Sequence, residues 1–301
     1  MFADWIAVHW GSSRLHAWAM DADNRVLGEA GSDAGTSHLD PDQFEPALLD
    51  LVLDWLDLTR TTDVFVCGMA GARQGWAESS YATVPGPPRG PQPLAKPKVR
   101  DASINVYILP GMRQDSPTDV MRGEETQMLG LVTREPRFDG IVCLPGTHSK
   151  WILMSAGEVV SFATFMTGEL FALLAGASVL RYTVGDDGWS EEHFVAAVEE
   201  AISFPELIAR KLFGIRAEAL LNDLGPAESR SRLSGLLIGA ELAGARPYWL
   251  GRDMVLVGDD RLVSVYERAL GICGVKPRRH DATELTLAGL AAARAEVLAT
   301  R

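Results

Sequence analysis

The chain opens twice in the same way. Residues 5–10 (Trp-Ile-Ala-Val-His-Trp) form a short apolar run that stops at Gly11-Ser12-Ser13. An alternating run over 15–20 follows, then the turn cluster Asp21-Ala22-Asp23-Asn24 and a third run over 25–30. From Gly140 the pattern returns: an apolar run over 140–144, the turn Pro145-Gly146-Thr147-His148, a run over 150–154, the turn Ser155-Ala156-Gly157 and a run over 159–165. Short apolar runs punctuated by Gly, Asn, Asp and Ser predict strands joined by tight turns. Each half therefore predicts a three-stranded antiparallel meander with a small-residue turn after its first strand. The pattern leaves two architectures, a duplicated α/β domain with a cleft between its copies or two unrelated α/β domains in tandem.

The remaining segments fit either. Phe44, Leu48, Leu51, Val52 and Trp55 recur at helical spacing, and Asp40-Pro41 supplies a cap and a first turn, so a helix is predicted within 41–58. A buried strand over 63–67 ends at Gly68-Met69-Ala70-Gly71, a Pro/Gly-dense loop covers 85–97, and a strand covers 105–109. A helix over 124–133 is entered through Arg122-Gly123. In the second half, helices are predicted at about 168–181, 190–202, 205–213, 228–246, 260–271 and 284–298, with a strand over 254–257. With 301 residues, 47% of them hydrophobic, the chain can bury two medium cores. The expected division is 1–135 and 136–301.

The formal net charge of −12 argues against non-specific nucleic-acid binding, which needs a basic surface. It leaves room for a local anion site, which needs only a nest of amides and a cation or two. Cys67, Cys143 and Cys273 are odd in number and far apart, and two of them lie in apolar runs. They read as buried free thiols of a reducing, cytoplasmic compartment, without ligand spacing for zinc. The most apolar long stretch, 162–180, contains Glu169 and is followed by Arg181, so it reads as strand, loop and helix and not as a membrane span. No basic-then-apolar leader opens the sequence.

Two turns are candidate phosphate loops. Gly11-Ser12-Ser13 and Gly146-Thr147-His148 occupy equivalent positions, each after a first strand. Glycine lets a backbone approach a ligand, successive N–H groups form an anion nest, and Ser and Thr hydroxyls add donors. There is no Walker-type loop and no dinucleotide fingerprint. Arg122-Gly123-Glu124-Glu125-Thr126-Gln127 is the densest polar cluster. A phosphotransferase needs a carboxylate to take the acceptor hydroxyl's proton and oxygens to hold Mg²⁺, and Glu124 or Glu125 could serve. Both also suit the first turn of a helix, where they stabilise its dipole. Thr167-Gly168-Glu169 places a carboxylate between apolar runs, which is costly unless the group is paired or binds something, or opens a helix.

These strings resemble a known family. Val120-Met121-Arg122-Gly123-Glu124-Glu125-Thr126-Gln127, the segment from Pro145 to Trp151, Met166-Thr167-Gly168-Glu169-Leu170 and the segment from Ser234 to Glu241 are similar to the motifs of 2-keto-3-deoxygalactonate kinases. Cys67-Gly68-Met69, with Gly75-Trp76 after it, fits as well, and the motifs keep their order from about residue 5 to the C-terminus. The resemblance implies two RNase-H-like domains of the actin and hexokinase type flanking a central cleft. It also implies transfer of the γ-phosphate of ATP, with Mg²⁺, to the terminal hydroxyl of 2-keto-3-deoxygalactonate. By carry-over, Gly11, Ser12 and Ser13 form the first phosphate loop and Gly146, Thr147 and His148 the second, with Gly258 near the adenosine. Arg122, Met69, Thr167 and Glu169 fall on the sugar-acid side, where a guanidinium can grip a carboxylate. Glu124 or Glu125 is the base, and Glu124 and His9 are the candidates for the metal. The implied partner is a small sugar acid, and a homodimer stays open.

The sequence departs from the pattern in the nucleotide half. The family's first loop resembles Asp-Trp-Gly followed by Arg-Ala-Trp; here the strings are His9-Trp10-Gly11 and His16-Ala17-Trp18. An imidazole replaces a carboxylate where Mg²⁺ prefers hard oxygen. Gly258-Asp259-Asp260 brings two carboxylates toward the expected phosphates. Two readings follow: an active kinase that tolerates His9, or a kinase-like sugar-acid sensor whose ATP site is degenerate.

Overall fold

The computed structural model describes residues 2–300. The elements run β1 (Trp5–Trp10), β2 (Leu15–Met20), β3 (Val26–Ser32), α1 (Phe44–Val52), β4 (Thr62–Gly68), β5 (Tyr81–Thr83), β6 (Ile104–Ile108), β7 (Gly111–Asp115), β8 (Thr118–Met121) and α2 (Glu124–Arg134). They continue with β9 (Gly140–Leu144), β10 (Ser149–Ser155), β11 (Glu158–Phe165), α3 (Thr167–Ala177), α4 (Glu191–Ser203), α5 (Ile208–Leu221), α6 (Pro226–Gly244) and α7 (Arg246–Trp249). The last are β12 (Met254–Gly258), α8 (Asp260–Ile272), β13 (Arg278–Asp281) and α9 (Ala282–Ala299).

Two five-stranded sheets share one topology. Their strand orders are β3-β2-β1-β4-β6 and β11-β10-β9-β12-β13. In each, the first strand pairs antiparallel with the second and parallel with the fourth. This is the RNase-H-like arrangement, and it occurs twice; of the two architectures the repeated opening leaves open, the shared strand order matches the duplicated one. The middle strands are buried on both faces, which is why they read as continuous apolar runs. Ile6, Val8 and Trp10 of β1 join Phe44 and Leu48 of α1 on one face, while Trp5 and Ala7 join Phe65, Leu290 and Ala293 on the other. In the second sheet Ile141, Cys143 and Leu256 pack with Phe194, Val198 and Ile238 from α4 and α6.

The chain divides into two compact units: residues 1–138 with 155–161 and 282–301, and residues 139–154 with 162–281. Helix α9, last in sequence, thus belongs with the first unit. It packs on α2 at backbone contact: a Cβ on Gly130 would stand 2.0 Å from the Leu285 carbonyl oxygen, and one on Gly289 2.0 Å from that of Thr126. Gln127 Nε2 donates to Thr286 Oγ1 at 3.2 Å and Arg134 pairs with Glu284 at 2.6 Å, closing the same seam.

Several elements lie outside the sequence reading. β5, β7 and β8 form a separate three-stranded sheet in the first unit. Gly-Met-Arg-Gln-Asp and Thr-Asp-Val-Met carry little apolar alternation, so their pairing gives no periodic signal. β13 reads Arg-Arg-His-Asp and pairs only along one side, with β12. α5 runs on to Leu221, past the expected end at 213, because Gly214 sits inside the helix without stopping it.

Candidate functional site

In the first unit the site grows from the end of β1. His9 pairs with His16 across β1–β2 and with Cys67 across β1–β4. The two histidines that depart from the family pattern in the first hairpin are therefore cross-strand neighbours. His16 is exposed and stacks on Trp18 at 4.5 Å. Two glycines with positive φ crowd His9: Gly68 (94°) and Gly123 (111°). A Cβ on Gly68 would lie 3.3 Å from His9 Cδ2, and one on Gly123 3.8 Å from His9 Nε2. Burial holds the His9 imidazole below its ordinary range; the charge of Glu124 opposes the shift and His16 adds to it. His9 is thus a neutral side chain seated under the start of α2.

The turn Gly11–Ser13 is tied down from behind. Gly11 N–H donates to the Arg14 carbonyl at 2.9 Å, and the Gly11 and Ser12 carbonyls accept from Thr36 N–H (3.0 Å) and Ser37 N–H (2.9 Å). The Ser12 and Ser13 side chains remain exposed.

Arg122, Glu124 and Glu125 lie at the start of α2. Glu124 Oε2 accepts the Arg122 N–H at 3.0 Å, and Glu125 Oε2 accepts the Gly123 N–H at 2.7 Å. Both glutamates fold back over the open end of the helix, as the helix-dipole argument predicts. Their exposures separate them. Glu125 is 3% exposed and its Oε1 also accepts from Thr126 Oγ1, while Glu124 is half-buried. Burial, then the charge of Glu124, pushes the Glu125 carboxyl up to about 8, against hydrogen bonds and Arg122. Arg122 is clamped: its Nη1 donates to Ser79 Oγ and its Nη2 to the Ser79 carbonyl at 3.0 Å, and its guanidinium lies 4.3 Å from the Tyr81 ring centroid. Its buried Nε has no hydrogen-bond partner. Ser79 N–H in turn donates to the Gly71 carbonyl at 2.9 Å, which links the arginine to the Met69–Gly71 turn.

In the second unit, two strings far apart in sequence meet. Glu169 N–H donates to the Thr147 carbonyl at 3.0 Å, and His148 Nε2 lies 2.5 Å from Glu169 Oε2. A Cβ on Gly168 would stand 2.4 Å from the Gly146 carbonyl oxygen, so only glycine allows this approach. Gly258 lies beside Pro145: a Cβ there would be 3.6 Å from the Pro145 carbonyl. Gly146, Thr147, His148, Thr167, Glu169 and Gly258 therefore gather in this unit, whereas Met69 and Arg122 belong to the first. The carboxylate of Asp259, expected to oppose phosphates, instead caps α8: its Oδ1 accepts from Arg261 N–H (3.0 Å) and Leu262 N–H (3.4 Å).

A buried carboxylate underlies this cluster. Glu241, 2% exposed in the last turn of α6, accepts from Trp151 Nε1 (2.8 Å) and Tyr266 OH (2.7 Å). Ser149 Oγ lies 2.9 Å from that phenol oxygen and accepts from Gly146 N–H at 3.4 Å. Burial raises the Glu241 pKa against hydrogen bonds from Thr167, Tyr266, Trp151 and Ser149. Ser149, Trp151 and Glu241 lie inside strings that resemble the family, yet a role for them is invisible until the fold joins them. Tyr266 and Ser79 carry no sequence signal at all.

Beside the cluster lies a cavity of about 640 Å³ with Gly146, Thr167 and Gly168 at its wall. Phe171, Leu237 and Leu262 make it apolar, and Arg230, Arg261 and Arg268 make it cationic in a chain of net charge −12. The Arg230 guanidinium lies 5.0 Å from the Phe171 ring centroid. Apolar walls with a few cations suit a flat, anionic small molecule. Among the described residues, no cluster of three or more His, Cys, Asp or Glu side chains could hold a metal, and no helix is long and apolar enough to cross a membrane.

Residues 9–293 match the model of the 2-keto-3-deoxy-galactonokinase family. The chain is 38% identical over 293 residues to a probable 2-dehydro-3-deoxygalactonokinase, DgoK1, of Rhizobium meliloti (strain 1021), covering 95% of both chains. It is 33% identical to the 2-dehydro-3-deoxygalactonokinase of Escherichia coli (strain K12), covering 91% of both. A crystal structure of a provisionally named 2-dehydro-3-deoxygalactonokinase from Sinorhizobium meliloti superposes with a TM-score of 0.87 at 36% identity, over 97% of this chain and 99% of that one. A dehydratase activator from Clostridium difficile, solved with bound ADPNP, shares the fold at 12% identity, with a TM-score of 0.53 over 100% of this chain and 97% of that one. The duplicated RNase-H-like topology is that of the actin and hexokinase type, and the chain belongs to the 2-keto-3-deoxy-galactonokinase family.

Proposed function

We propose that the protein is an ATP-dependent kinase that phosphorylates 2-keto-3-deoxygalactonate at its terminal hydroxyl. The observation that carries this reading is the union of Gly146-Thr147-His148 with Thr167-Gly168-Glu169 beside a cationic, apolar-walled cavity, in a chain whose relatives bear the name of that kinase. The sensor alternative gains nothing from those names.

The residues divide the work. Thr147, with the backbone of Gly146 and His148, suits the phosphates, and the cavity suits the nucleoside. Glu169 pairs with His148 and so positions that loop, and Thr167 donates to Glu241 below it. In the first unit, Ser12 and Ser13 offer exposed hydroxyl donors suited to phosphate oxygens. Arg122, held by Ser79 and Tyr81, presents a fixed cation for the sugar acid's carboxylate, beside Met69. Glu124, the half-buried glutamate, takes the proton of the terminal hydroxyl as its oxygen bonds to the γ-phosphorus and the bond to the β-phosphate oxygen breaks. Glu125, buried behind it, holds the Gly123 N–H and positions the turn. When bound, Mg²⁺ would supply positive charge to the phosphates; of the two candidates, the hard oxygens of Glu124 would suit it and the nitrogen of His9 would not.

The test is coupled ADP release with ATP, 2-keto-3-deoxygalactonate and Mg²⁺ or Mn²⁺, on wild type and Glu124→Gln. The expected loss in kcat is about 10²–10⁴-fold with little change in either KM. No turnover in the wild type, with sugar-acid binding retained, would refute the kinase reading.

A further inference from the structure

The cavity wall of the second unit holds one aromatic ring that is both accessible and fixed. Of its aromatic residues, Tyr266 is buried with its hydroxyl committed to Glu241, and Phe171 lies beneath Arg230. Trp189 is 41% exposed and lines the cavity. It follows Gly188, whose φ is 90°. Its indole N–H donates to Glu191 Oε2 at 2.8 Å, and the same oxygen accepts from Arg268 Nη1. Behind the ring stands Phe194, fully buried, at 4.7 Å between centroids and 42° between planes. An exposed tryptophan with its edge hydrogen-bonded and its back supported loses little freedom when a flat ligand settles on it.

We propose that Trp189 is the platform on which the nucleobase of ATP stacks, and that Glu191 and Arg268 are positioning residues that hold the indole for it. This rests on the nucleotide reading above. Stacking on an indole needs only a π-face, so the platform favours any planar base over none. Arg268 adds positive charge to the same wall, which suits the electron-rich face and ring nitrogens of a purine.

The test uses ADP without acceptor, so that no turnover intervenes. Binding of ADP and of inorganic tripolyphosphate is measured by calorimetry on wild type, Trp189→Ala, Trp189→Phe and Glu191→Gln, with thermal melts and circular dichroism as checks of folding. Trp189→Ala should weaken ADP about tenfold or more and leave tripolyphosphate unchanged. Trp189→Phe should recover most of the ADP affinity. Glu191→Gln should lose less than Trp189→Ala, and on the Trp189→Ala background it should cost nothing further. In turnover, Trp189→Ala should raise KM for ATP and leave kcat and KM for the sugar acid as they are. ADP affinity unchanged in Trp189→Ala, or ADP and tripolyphosphate weakened alike, overturns the platform while the kinase reading stands. Failure of the wild type to bind ADP overturns both.

Discussion

Tyr266 donates its phenol proton to Glu241 across 2.7 Å, with both side chains no more than 2% exposed. The bond ties α8 to the C-terminal turn of α6, and through Ser149 it reaches the Gly146 N–H of the second loop. Removing the phenol oxygen leaves a buried carboxylate short of a donor, at a cost of about 1–3 kcal/mol. Tyr266→Phe should lower stability by that amount in urea unfolding. It should also raise KM for ATP, because Ser149 loses the partner that orients it. A variant as stable as wild type would show that the network carries no strain-bearing role.

Gly168→Ala tests the contact between the two strings. The added methyl would sit 2.4 Å from the Gly146 carbonyl, so one backbone must retreat. Expected are a higher KM for ATP and a melting temperature lower by several degrees, since about 1 kcal/mol moves Tm by roughly 2–4 °C in a chain of this size. Gly176→Ala on the same helix, where nothing lies within 4 Å, should leave both unchanged.

Glu125 makes stability fall as pH rises. Its carboxyl is pushed up to about 8 in the folded chain from 4.5, so between these values the folded state holds a proton that the unfolded state has lost. Stability due to this group is complete below pH 4.5 and declines until about pH 8. The loss is on the order of 3–5 kcal/mol. Glu125→Gln keeps an acceptor for the Gly123 N–H and should flatten that slope in unfolding measured from pH 5 to 9.

His9 acts in the opposite sense. Its folded pKa lies below the ordinary 6.5, so the unfolded chain binds the proton first as pH falls. Stability from neutral His9 is present above 6.5 and is lost as pH drops through that value. His9→Asn should remove this acid loss, visible as a smaller drop in melting temperature between pH 7 and 5.

Because His9 and His16 are cross-strand partners, reverting them should not be additive. His9→Asp alone places a half-buried carboxylate opposite an imidazole. Adding His16→Arg gives it a full cation, and a double-mutant cycle in stability should show coupling of about 0.5 kcal/mol or more in favour of the pair. Turnover of His9→Asp above that of wild type would show that the imidazole limits the reaction; equal rates would show that it does not.

The meander in each half was legible because β1, β2, β9 and β10 are apolar runs closed by Gly, Ser, Thr, Asp and Asn turns, whereas an edge strand such as β13 carried no apolar signal. The polar strings at Arg122, Gly146 and Thr167 were legible through their resemblance to a family. What the sequence could not show is who meets whom. Gly168 lies 22 positions after Gly146 and touches it only because α3 starts beside the β9–β10 turn. Ser79 holds Arg122 across 43 positions, without any periodicity to announce it. Glu241 looked like one more polar residue on α6 until burial and four donors identified it as a hub. Glu124 and Glu125 differ in exposure, which two adjacent identical residues cannot encode.

The seam between α2 and α9 has a consequence for synthesis. Leu129 and Trp5 share a core with Leu290 and Ala293, and Gly130 and Gly289 bring the two backbones into contact. A ribosome that has released residues 1–138 has therefore delivered a unit whose last wall is still unmade. The whole second unit must emerge before that wall arrives, so the half that starts first is completed last.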